Sequence, residues 1–232
     1  MKLRVEGRRE IAAGVHLLAL RRGFDFRPGQ IIGLSLDGSV PFRWYSIASG
    51  TEDGYIEVVF DVVPDGALTP HLARAEEGDE LLVAGPTGEF AEAETEADGS
   101  ASATAAAEAC VSAGAGGIWI ATGTGIAPFR SMASSGLGPR NILVHGARAA
   151  GGFFFSDEFA ALMGERYVRC ASREGSPGLY PGRISAWLRG RDRLEADRRY
   201  LLCGGTDMVV DIRDILISRG VPWANVLSEI YF

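Results

Sequence analysis

The sequence predicts two domains: an N-terminal antiparallel six-stranded β-barrel and a C-terminal α/β domain with a doubly wound, five-stranded parallel sheet. Three observations predict this fold class. The first part of the 232-residue chain consists of short alternating or β-branched runs separated by turn residues. The second part alternates such runs with helical periodicity, and a low-complexity stretch lies between the two. We therefore expect domains at 1–90 and 117–232 and an inter-domain insertion at 91–116.

Six short runs without a long intervening helix predict the barrel. They cover residues 3–5, 15–20, 30–36, 44–48, 55–63 and 81–84. In the second part, strands are predicted at 118–120, 142–144, 167–169, 200–202 and 226–227, with helices near 127–134, 156–164, 183–189 and 207–219. The last helix carries its apolar residues on one face and is followed by Gly220 and Pro222, which are typical of a helix end.

Composition excludes several classes of protein. The net charge of −7 disfavours nucleic acid as a partner. Cys110, Cys170 and Cys203 are too far apart for a disulfide framework or an iron–sulfur cluster, so redox chemistry requires an organic cofactor. The three histidines have no metal-ligand spacing, and we assign no metal. Short apolar runs and a charged N-terminus predict a cytoplasmic protein without a membrane span, which we expect to be monomeric.

The segment 43–46 combines three groups that a flavin needs. The planar guanidinium of Arg43 can donate paired hydrogen bonds to a pyrophosphate. Tyr45 supplies a flat ring that can stack on the isoalloxazine, and Ser46 supplies a hydroxyl for the polar edge of the isoalloxazine. Strand alternation places Arg43 and Tyr45 on one face, and Trp44 and Ser46 on the other. On its own, the pattern is equally typical of an ordinary edge strand.

Three later segments are also ambiguous when taken singly. At 64–72, a turn at Asp65-Gly66 precedes Thr69, which is suited to cap a short helix beginning with Pro70 and to offer backbone N–H groups to an anion. At 85–90, glycines and a proline predict only a loop. At 121–129, a strand end, a glycine loop and a helix opening would let backbone approach a phosphate, although an ordinary strand-to-helix turn has the same appearance.

In this order, the segments resemble the ferredoxin–NADP reductase superfamily, in particular the ferredoxin/flavodoxin–NADP reductases. The resemblance rests on Arg-x-Tyr-Ser, Gly-x-Leu-Thr, Gly-Pro-x-Gly-x-Phe and the Ala-Thr-Gly-Thr-Gly-Ile-Ala-Pro-Phe segment, and it spans the chain apart from 91–116. It implies that Arg43 contacts the flavin pyrophosphate, Tyr45 stacks on the isoalloxazine and Ser46 bonds near N5. It also implies flavin contacts from Ile47, Ala48, Ser49, Val59, Asp61, Gly66, Leu68 and Thr69. A pyrophosphate loop implies FAD rather than FMN.

The resemblance further implies a pyridine nucleotide bound at Thr122, Gly123, Thr124 and Gly125. The 2′-phosphate of NADP calls for arginines at the ends of later strands. Arg148, Ser172, Arg173 and Arg183 match such positions, which favours NADP over NAD.

Family members carry Cys-Gly beside the nicotinamide, which corresponds to Cys203 and Gly204. For Cys203 we expect a positional role and not that of a nucleophile. Glu229 resembles an acidic residue near the nicotinamide. Tyr231 and Phe232 match the aromatic terminus that lies over the flavin, and either of them is suited to cover the ring.

The implied activity is hydride transfer between NADP(H) and FAD, with single electrons passed to or from ferredoxin or flavodoxin in a transient complex. Arg4, Arg8, Arg9, Arg21 and Arg22 are candidates for docking such an acidic partner, although a solvated face would look the same. A free-flavin or ferric reductase, the reductase component of an oxygenase, and a non-catalytic nucleotide-binding module remain as alternatives.

Overall fold

The computed structural model describes residues 1–90 and 116–231. The predicted insertion therefore lies outside the described residues except for Gly116. Within the described ranges the chain forms two six-stranded sheets with their own hydrophobic cores. No helix in these ranges is long and apolar enough to cross a membrane.

The first sheet is an antiparallel barrel in which all six predicted strands are present. Its strands are β1 (Lys2–Ala12), β2 (Val15–Arg21), β3 (Ile31–Ser35), β4 (Arg43–Ser46), β5 (Tyr55–Asp61) and β6 (Glu80–Thr87). Their order is β4-β3-β6-β1-β2-β5, and a bridge between Ile47 and Val58 joins the two outer strands. The strand β1 is longer than the predicted 3–5, since it continues along β2 as far as Ala12.

Alternation along these strands builds the barrel core. Leu18 and Leu20 of β2, Ile32 and Leu34 of β3, and Ile56 of β5 are fully buried. Each such side chain contributes roughly 1.5–3 kcal/mol through removal of apolar surface from water. The short helix α1 (Thr69–Leu72) adds Leu72 to this core, so the loop after β5 is anchored to the barrel.

The second sheet is parallel and doubly wound. Its strands are β7 (Ile118–Thr122), β8 (Ile142–Ala147), β9 (Tyr167–Ala171), β10 (Tyr180–Pro181), β11 (Tyr200–Gly205) and β12 (Val226–Tyr231), in the order β10-β9-β8-β7-β11-β12. Its helices are α2 (Ala127–Met132), α3 (Ser156–Met163), α4 (Ile184–Arg189) and α5 (Thr206–Ser218). All five predicted strands are present. The predicted number of strands is one too low, because the two residues of β10 pair with Cys170 and Ala171 and form a sixth strand.

Helices cover both faces of this sheet. Ile120, Val144 and Leu202 pack on the side of α4 and α5, whereas Trp119 and Leu201 pack on the side of α2 and α3. Burial on both faces accounts for the continuous apolar runs of β7, β8 and β11. In such a sheet, ligands bind at the carboxyl edge where the strand order reverses, which here is the edge around β7.

The barrel packs directly against the start of α2. Ala48 and Val59 of the barrel form one buried cluster with Ala127. A hydrogen bond of 3.0 Å from Thr51 N to Ser135 Oγ adds a polar contact. The carboxyl edge of the parallel sheet is therefore close to the strand β4 and the residues that follow it.

Candidate functional site at the domain junction

A chain of hydrogen bonds connects the barrel to the last strand of the parallel sheet. The Tyr231 hydroxyl donates to Ser46 Oγ at 2.5 Å, and Ser46 Oγ donates to Glu229 Oε2 at 3.2 Å. Glu229 and Tyr231 are two residues apart on β12 and lie on the same face. The structure therefore brings Ser46 of the N-terminal barrel together with two residues of the last strand, more than 180 positions later in the sequence.

Cys203 belongs to the same group. It pairs with Glu229 in the parallel register of β11 and β12, and its side chain is completely buried. Burial raises the pKa of its thiol, the nearby Glu229 charge raises it further, and a hydrogen bond with Tyr231 opposes the shift. Cys203 therefore stays a neutral thiol at ordinary pH, which fits a positional role.

Glu229 has an altered proton affinity. Burial raises its pKa to about 7, against the opposing hydrogen bond from Ser46. Burial also raises the pKa of Tyr231 well above its usual range. The junction thus holds a carboxyl group that changes charge near neutral pH beside a phenol that stays protonated.

The glycine loop after β7 is fixed by its contact with β11. A side-chain carbon at Gly125 would lie well inside contact distance of the Cys203 carbonyl oxygen, and one at Gly204 would meet Thr122 Oγ1. Gly123 has a φ of +56°, a conformation that favours glycine, with open space beyond it. Residues 123–126 form a 3₁₀ turn that leads into α2. These glycines bring the ends of β7 and β11 together.

Asp61 at the end of β5 contacts this loop. Its Oδ2 accepts a hydrogen bond of 3.2 Å from Thr124 Oγ1, and burial raises its pKa. Predicted beside the flavin, Asp61 also lines the cleft that extends away from the glycine loop.

That cleft has a volume of about 1020 Å³ and is lined by six of the predicted nucleotide residues, but not by Thr124, Gly125, Cys203 or Gly204. Thr122, Gly123, Arg148, Ser172, Arg173 and Arg183 all line it. The three arginines are exposed, and their guanidinium groups make no hydrogen bond or ion pair with another described residue. A cleft with three uncommitted arginines is chemically suited to a ligand with several phosphates.

Backbone contacts hold two of these arginines side by side. The Arg173 amide donates to the Arg148 carbonyl at 2.9 Å. The Glu174 carboxylate accepts from the Ala150 amide at 2.6 Å and from Ser176 Oγ at 2.9 Å, which lowers its pKa. Hydrogen bonds therefore fix the loops after β8 and β9 relative to each other.

The residues at the start of the flavin segment are open to a ligand. Arg43 is exposed and makes no hydrogen bond or ion pair with the rest of the described chain. Tyr45 is half-buried, with its ring edge-on to Phe60 at 6.3 Å, and burial raises its pKa to about 12. An uncommitted guanidinium beside a partly covered aromatic ring fits the pyrophosphate and ring of a flavin.

The other predicted flavin residues have side chains committed to the barrel. Ile47, Ala48, Val59 and Leu68 are buried. Ser49 Oγ accepts from the Glu57 amide at 3.0 Å, and the Gly66 amide donates to the Val63 carbonyl at 2.9 Å. These positions can offer a cofactor mainly their backbone groups.

The predicted helix cap at Thr69 is wrong. Thr69 is the first residue of α1, and that helix has no side-chain cap. Its Oγ1 instead accepts from the Val63 amide at 2.9 Å and so closes the loop after β5. The hydroxyl stabilises the loop rather than the helix end.

The basic residues suggested for docking are mostly engaged within the barrel. Arg21 pairs with Glu6 at 2.5 Å, Arg22 donates to the Asp53 carbonyl at 2.8 Å, and Arg4 lies 3.9 Å from Glu80. The Arg8 side chain donates to the Ala75 carbonyl at 3.4 Å, whereas the Arg9 side chain has no partner among the described residues. Phe232 lies outside the described residues. Within the described ranges, no group of His, Cys, Asp and Glu is arranged to hold a metal.

Comparison with known protein families agrees with this arrangement. The family model of the oxidoreductase FAD-binding domain matches residues 6–91, and that of the oxidoreductase NAD-binding domain matches residues 119–214. The chain belongs to the ferredoxin reductase-like family. It is thus a FAD- and NAD-binding oxidoreductase, built from the barrel and the parallel sheet in that order.

Relatives within the ferredoxin reductase-like family differ in how much of their length this chain matches. It is 29% identical to a ferredoxin–NADP reductase of Pseudomonas aeruginosa, over 89% of this chain and 84% of the relative. It is 24% identical to the toluate 1,2-dioxygenase electron transfer component of Pseudomonas putida, over 88% of this chain but 58% of the relative. A solved ferredoxin–NADP⁺ reductase of Neisseria gonorrhoeae with FAD and NADP has the same fold, with a TM-score of 0.82 and 22% identity. The match covers 100% of this chain and 98% of that structure's chain.

The sequence did not point to several residues of the site. Phe154, Asp207 and Met208 line the cleft, and Arg130 bonds to the Ala48 carbonyl from the other domain. Phe154 is one of three consecutive phenylalanines after a glycine pair, and this unusual pattern is a sequence signal for a functional loop. Arg130 lies directly after the predicted glycine loop and helix start, but nothing in its neighbours predicts a contact with the barrel.

Proposed function

We propose that the protein transfers hydride between NADP(H) and FAD and passes electrons singly to or from ferredoxin or flavodoxin. The observation that carries this proposal is the hydrogen-bond chain from Tyr231 through Ser46 to Glu229. It joins the flavin segment on the barrel to β12, which pairs with β11, the strand that contacts the glycine loop. Two reactants can exchange hydride only when they are held in contact, and this junction is where the two cofactor segments meet.

On the flavin side, Arg43 would hold the pyrophosphate and Tyr45 would pack against the ring system. Leu68 would present its backbone amide from the loop after β5, and the Gly66 bond to the Val63 carbonyl would shape that loop. Once bound, FAD supplies the ability to accept hydride and to release electrons one at a time. Ser46, held by its two partners, would present its oxygen to the polar edge of the ring.

On the nucleotide side, the glycine loop would receive the pyrophosphate, and the three arginines would favour NADP over NAD. Arg148, Arg173 and Arg183 place three positive charges in one cleft, and none of them is neutralised by another described residue. The 2′-phosphate distinguishes NADP from NAD and is a ligand for such groups. The loop has no room for a side chain at position 125, and the φ of +56° at position 123 favours glycine.

At the junction, Glu229 and Cys203 would line the place of the nicotinamide. A carboxyl group with a pKa of about 7 can hold or release a proton at working pH. Cys203, as a buried neutral thiol, would provide a small apolar surface. Tyr231, whose hydroxyl is held by Ser46, is the described aromatic residue of the terminus beside the flavin segment.

The electron partner is inferred from relatives and from composition. The match to a ferredoxin–NADP reductase covers most of that relative, which favours ferredoxin or flavodoxin. Four of the five suggested docking arginines have partners inside the barrel, so Arg9 is the one of the five that is more available to an acidic protein. We propose that the protein acts as a monomer in the cytoplasm with transient partner contacts.

A second candidate is the reductase component of an oxygenase. The match to a dioxygenase electron transfer component over 88% of this chain favours it. The chain covers only 58% of that relative. A free-flavin reductase would purify without colour, because its flavin would be a substrate.

One experiment separates these functions. The purified protein is first examined for a bound-flavin spectrum, then for ferricyanide reduction with NADPH and with NADH, and finally for reduction of ferredoxin and flavodoxin. The proposal predicts bound FAD, preference for NADPH and reduction of at least one of the two carriers. A colourless protein that reduces added flavin would contradict it.

A further inference from the structure

Arg130 forms a buried ionic cluster between the two domains. Its side chain is 12% exposed and that of Glu57 is 10% exposed. Arg130 Nη1 donates to Glu57 Oε2 on β5 at 2.5 Å, and Nε donates to Glu158 Oε2 on α3 at 2.7 Å. Burial disfavours the charge, but the bonds to the two carboxylates outweigh it and raise the pKa of the guanidinium. One cation thus binds a carboxylate from each domain.

Two further contacts fix the orientation of the guanidinium. Nη1 also donates to the Ala48 carbonyl at 3.1 Å, and the group lies 4.5 Å from the centre of the Phe155 ring. Phe155 has a φ of +58° and is the one non-glycine residue with positive φ among the described residues. Such a conformation is unfavourable for a bulky residue and persists where the surroundings require it. This unfavourable backbone conformation of Phe155 places its aromatic ring against Arg130.

The contacts of Arg130 act on the segment that carries Ser46. Ala48 lies two residues after Ser46, and its amide donates to the Glu57 carbonyl at 2.7 Å. The Glu57 amide in turn donates to Ser49 Oγ at 3.0 Å. Arg130 therefore holds this segment directly through Ala48 and indirectly through Glu57.

The same residue is fixed to the nucleotide side. Arg130 lies in α2, which begins directly after the glycine turn at 123–126. The Arg130 side chain thus connects α2, the helix that follows the glycine turn, to the flavin segment. An intact buried ion pair adds little net stability relative to apolar packing because of its desolvation cost, although removal of one partner is destabilising, so relative geometry is what the intact cluster supplies.

We propose that Arg130 is a positioning residue for hydride transfer. Its contacts with Ala48, Glu57 and Glu158 hold the flavin segment and the glycine turn in the relative position at which the two cofactors react. This inference rests on the proposed function. It assigns to Arg130 an effect on the rate of transfer and not on the affinity for either cofactor.

The test is Arg130→Met, which keeps the length of the side chain but removes its charge and donors. Stopped-flow reduction of the bound flavin by NADPH should show a limiting rate about 10²-fold lower, since small misplacements of reactants have effects of that order. The dissociation constant for NADPH and the FAD content should stay within about twofold of wild type. Arg130→Lys keeps the charge but lacks the planar guanidinium with its several donors. Its limiting rate should therefore lie between those of wild type and Arg130→Met.

The matched control is Arg213→Met, which breaks the ion pair of Arg213 with Asp214 within α5. It should leave the limiting rate unchanged. Glu158→Gln weakens the cluster from its more exposed end, where the Glu158 side chain is 42% exposed, and serves if Arg130→Met does not fold. It should lower the rate about tenfold with FAD still bound.

A readout other than activity comes from scanning calorimetry of the FAD-loaded protein. Loss of the cluster should separate the unfolding of the barrel from that of the parallel-sheet domain, whereas Arg213→Met should not. Limiting rates equal to wild type in both Arg130→Met and Glu158→Gln would overturn the inference. If wild-type flavin is not reduced by NADPH at all, it is the proposed function that fails.

Discussion

Ser46 and Glu229 are separated by 183 positions in the chain, yet they share a hydrogen bond of 3.2 Å across the domain junction. Ser46 Oγ also accepts the Tyr231 hydroxyl at 2.5 Å. The serine hydroxyl therefore has a defined orientation before any ligand binds, since one partner is an acceptor and the other is a donor. Such preorganisation is the main way in which a protein group assists charge movement in a reaction.

Substitution of Ser46 should affect both the rate of reaction and the titration of its neighbour. In Ser46→Ala, flavin reduction by NADPH should slow roughly 10²-fold, as is typical for loss of one preorganised polar group. The pKa of Glu229 should rise further, because the bond from Ser46 lowers it. Stopped-flow kinetics over a pH series measures both. Ser218→Ala removes a hydroxyl that bonds only to the Ile215 carbonyl on α5 and should leave both unchanged.

Glu229 should make stability depend on pH. Its folded pKa is about 7 against an ordinary value of 4.5, so the folded state binds more protons between these values. Stability should therefore fall as pH rises through this window, and burial is the cause. The measurement is the free energy of unfolding of wild type minus that of Glu229→Gln in the cofactor-free protein. The difference should be flat below pH 4.5, move in favour of the variant up to about 7, and be flat beyond it. A difference that is constant over the whole range would contradict the assignment.

Arg173 should determine preference for NADPH. Arg173→Ala removes a charged donor, which contributes about 1.5–3 kcal/mol to a bond with an anion. The KM for NADPH should rise roughly 10- to 100-fold and that for NADH should change little, so the preference narrows. Steady-state ferricyanide reduction with both nucleotides measures it. Arg213→Ala, on the outer surface of α5, provides the control, and an equal rise in both KM values would argue against a bond to the 2′-phosphate.

Gly125 should not tolerate a side chain. In Gly125→Ala the new carbon would lie against the Cys203 carbonyl oxygen, which belongs to a central strand and cannot move aside cheaply. We expect a loss of about 1–3 kcal/mol, typical of overpacking. Gly54→Ala, where nothing lies within 4 Å, should be neutral or gain up to about 1 kcal/mol. Urea unfolding compares the two, and equal stabilities would mean that the loop can relax away from β11.

Periodicity was sufficient to predict most elements, and the exceptions have physical reasons. The strand β1 was predicted too short because Arg8, Arg9 and Glu10 interrupt the alternation, although backbone pairing with β2 continues through them. Two-residue β10 contains a proline and has no periodic signal. Both features depend on pairing with a neighbour, which a local pattern does not contain.

The site was predictable only where the chain signals a loop or a strand end. Gly123 and Gly125 have a characteristic spacing, and Arg148 and Arg173 follow predicted strands, so they could be placed at one edge of the sheet. The contact of Arg130 with Glu57 could not be predicted, because it joins two ordinary charged residues 73 positions apart. Its existence depends on how the barrel packs on α2.

The strand order of the barrel has a consequence for its synthesis. The strand β6 lies between the pair β3–β4 and the trio β1, β2 and β5, and apart from the bridge from Ile47 to Val58 it alone joins them. While the nascent chain emerges from the ribosome, β1 and β3 therefore each expose an unpaired edge until Glu80–Thr87 has emerged as well. Unpaired edges are templates for aggregation. A pause in translation after β3 has emerged but before β6 has left the ribosome should therefore favour aggregation of this domain.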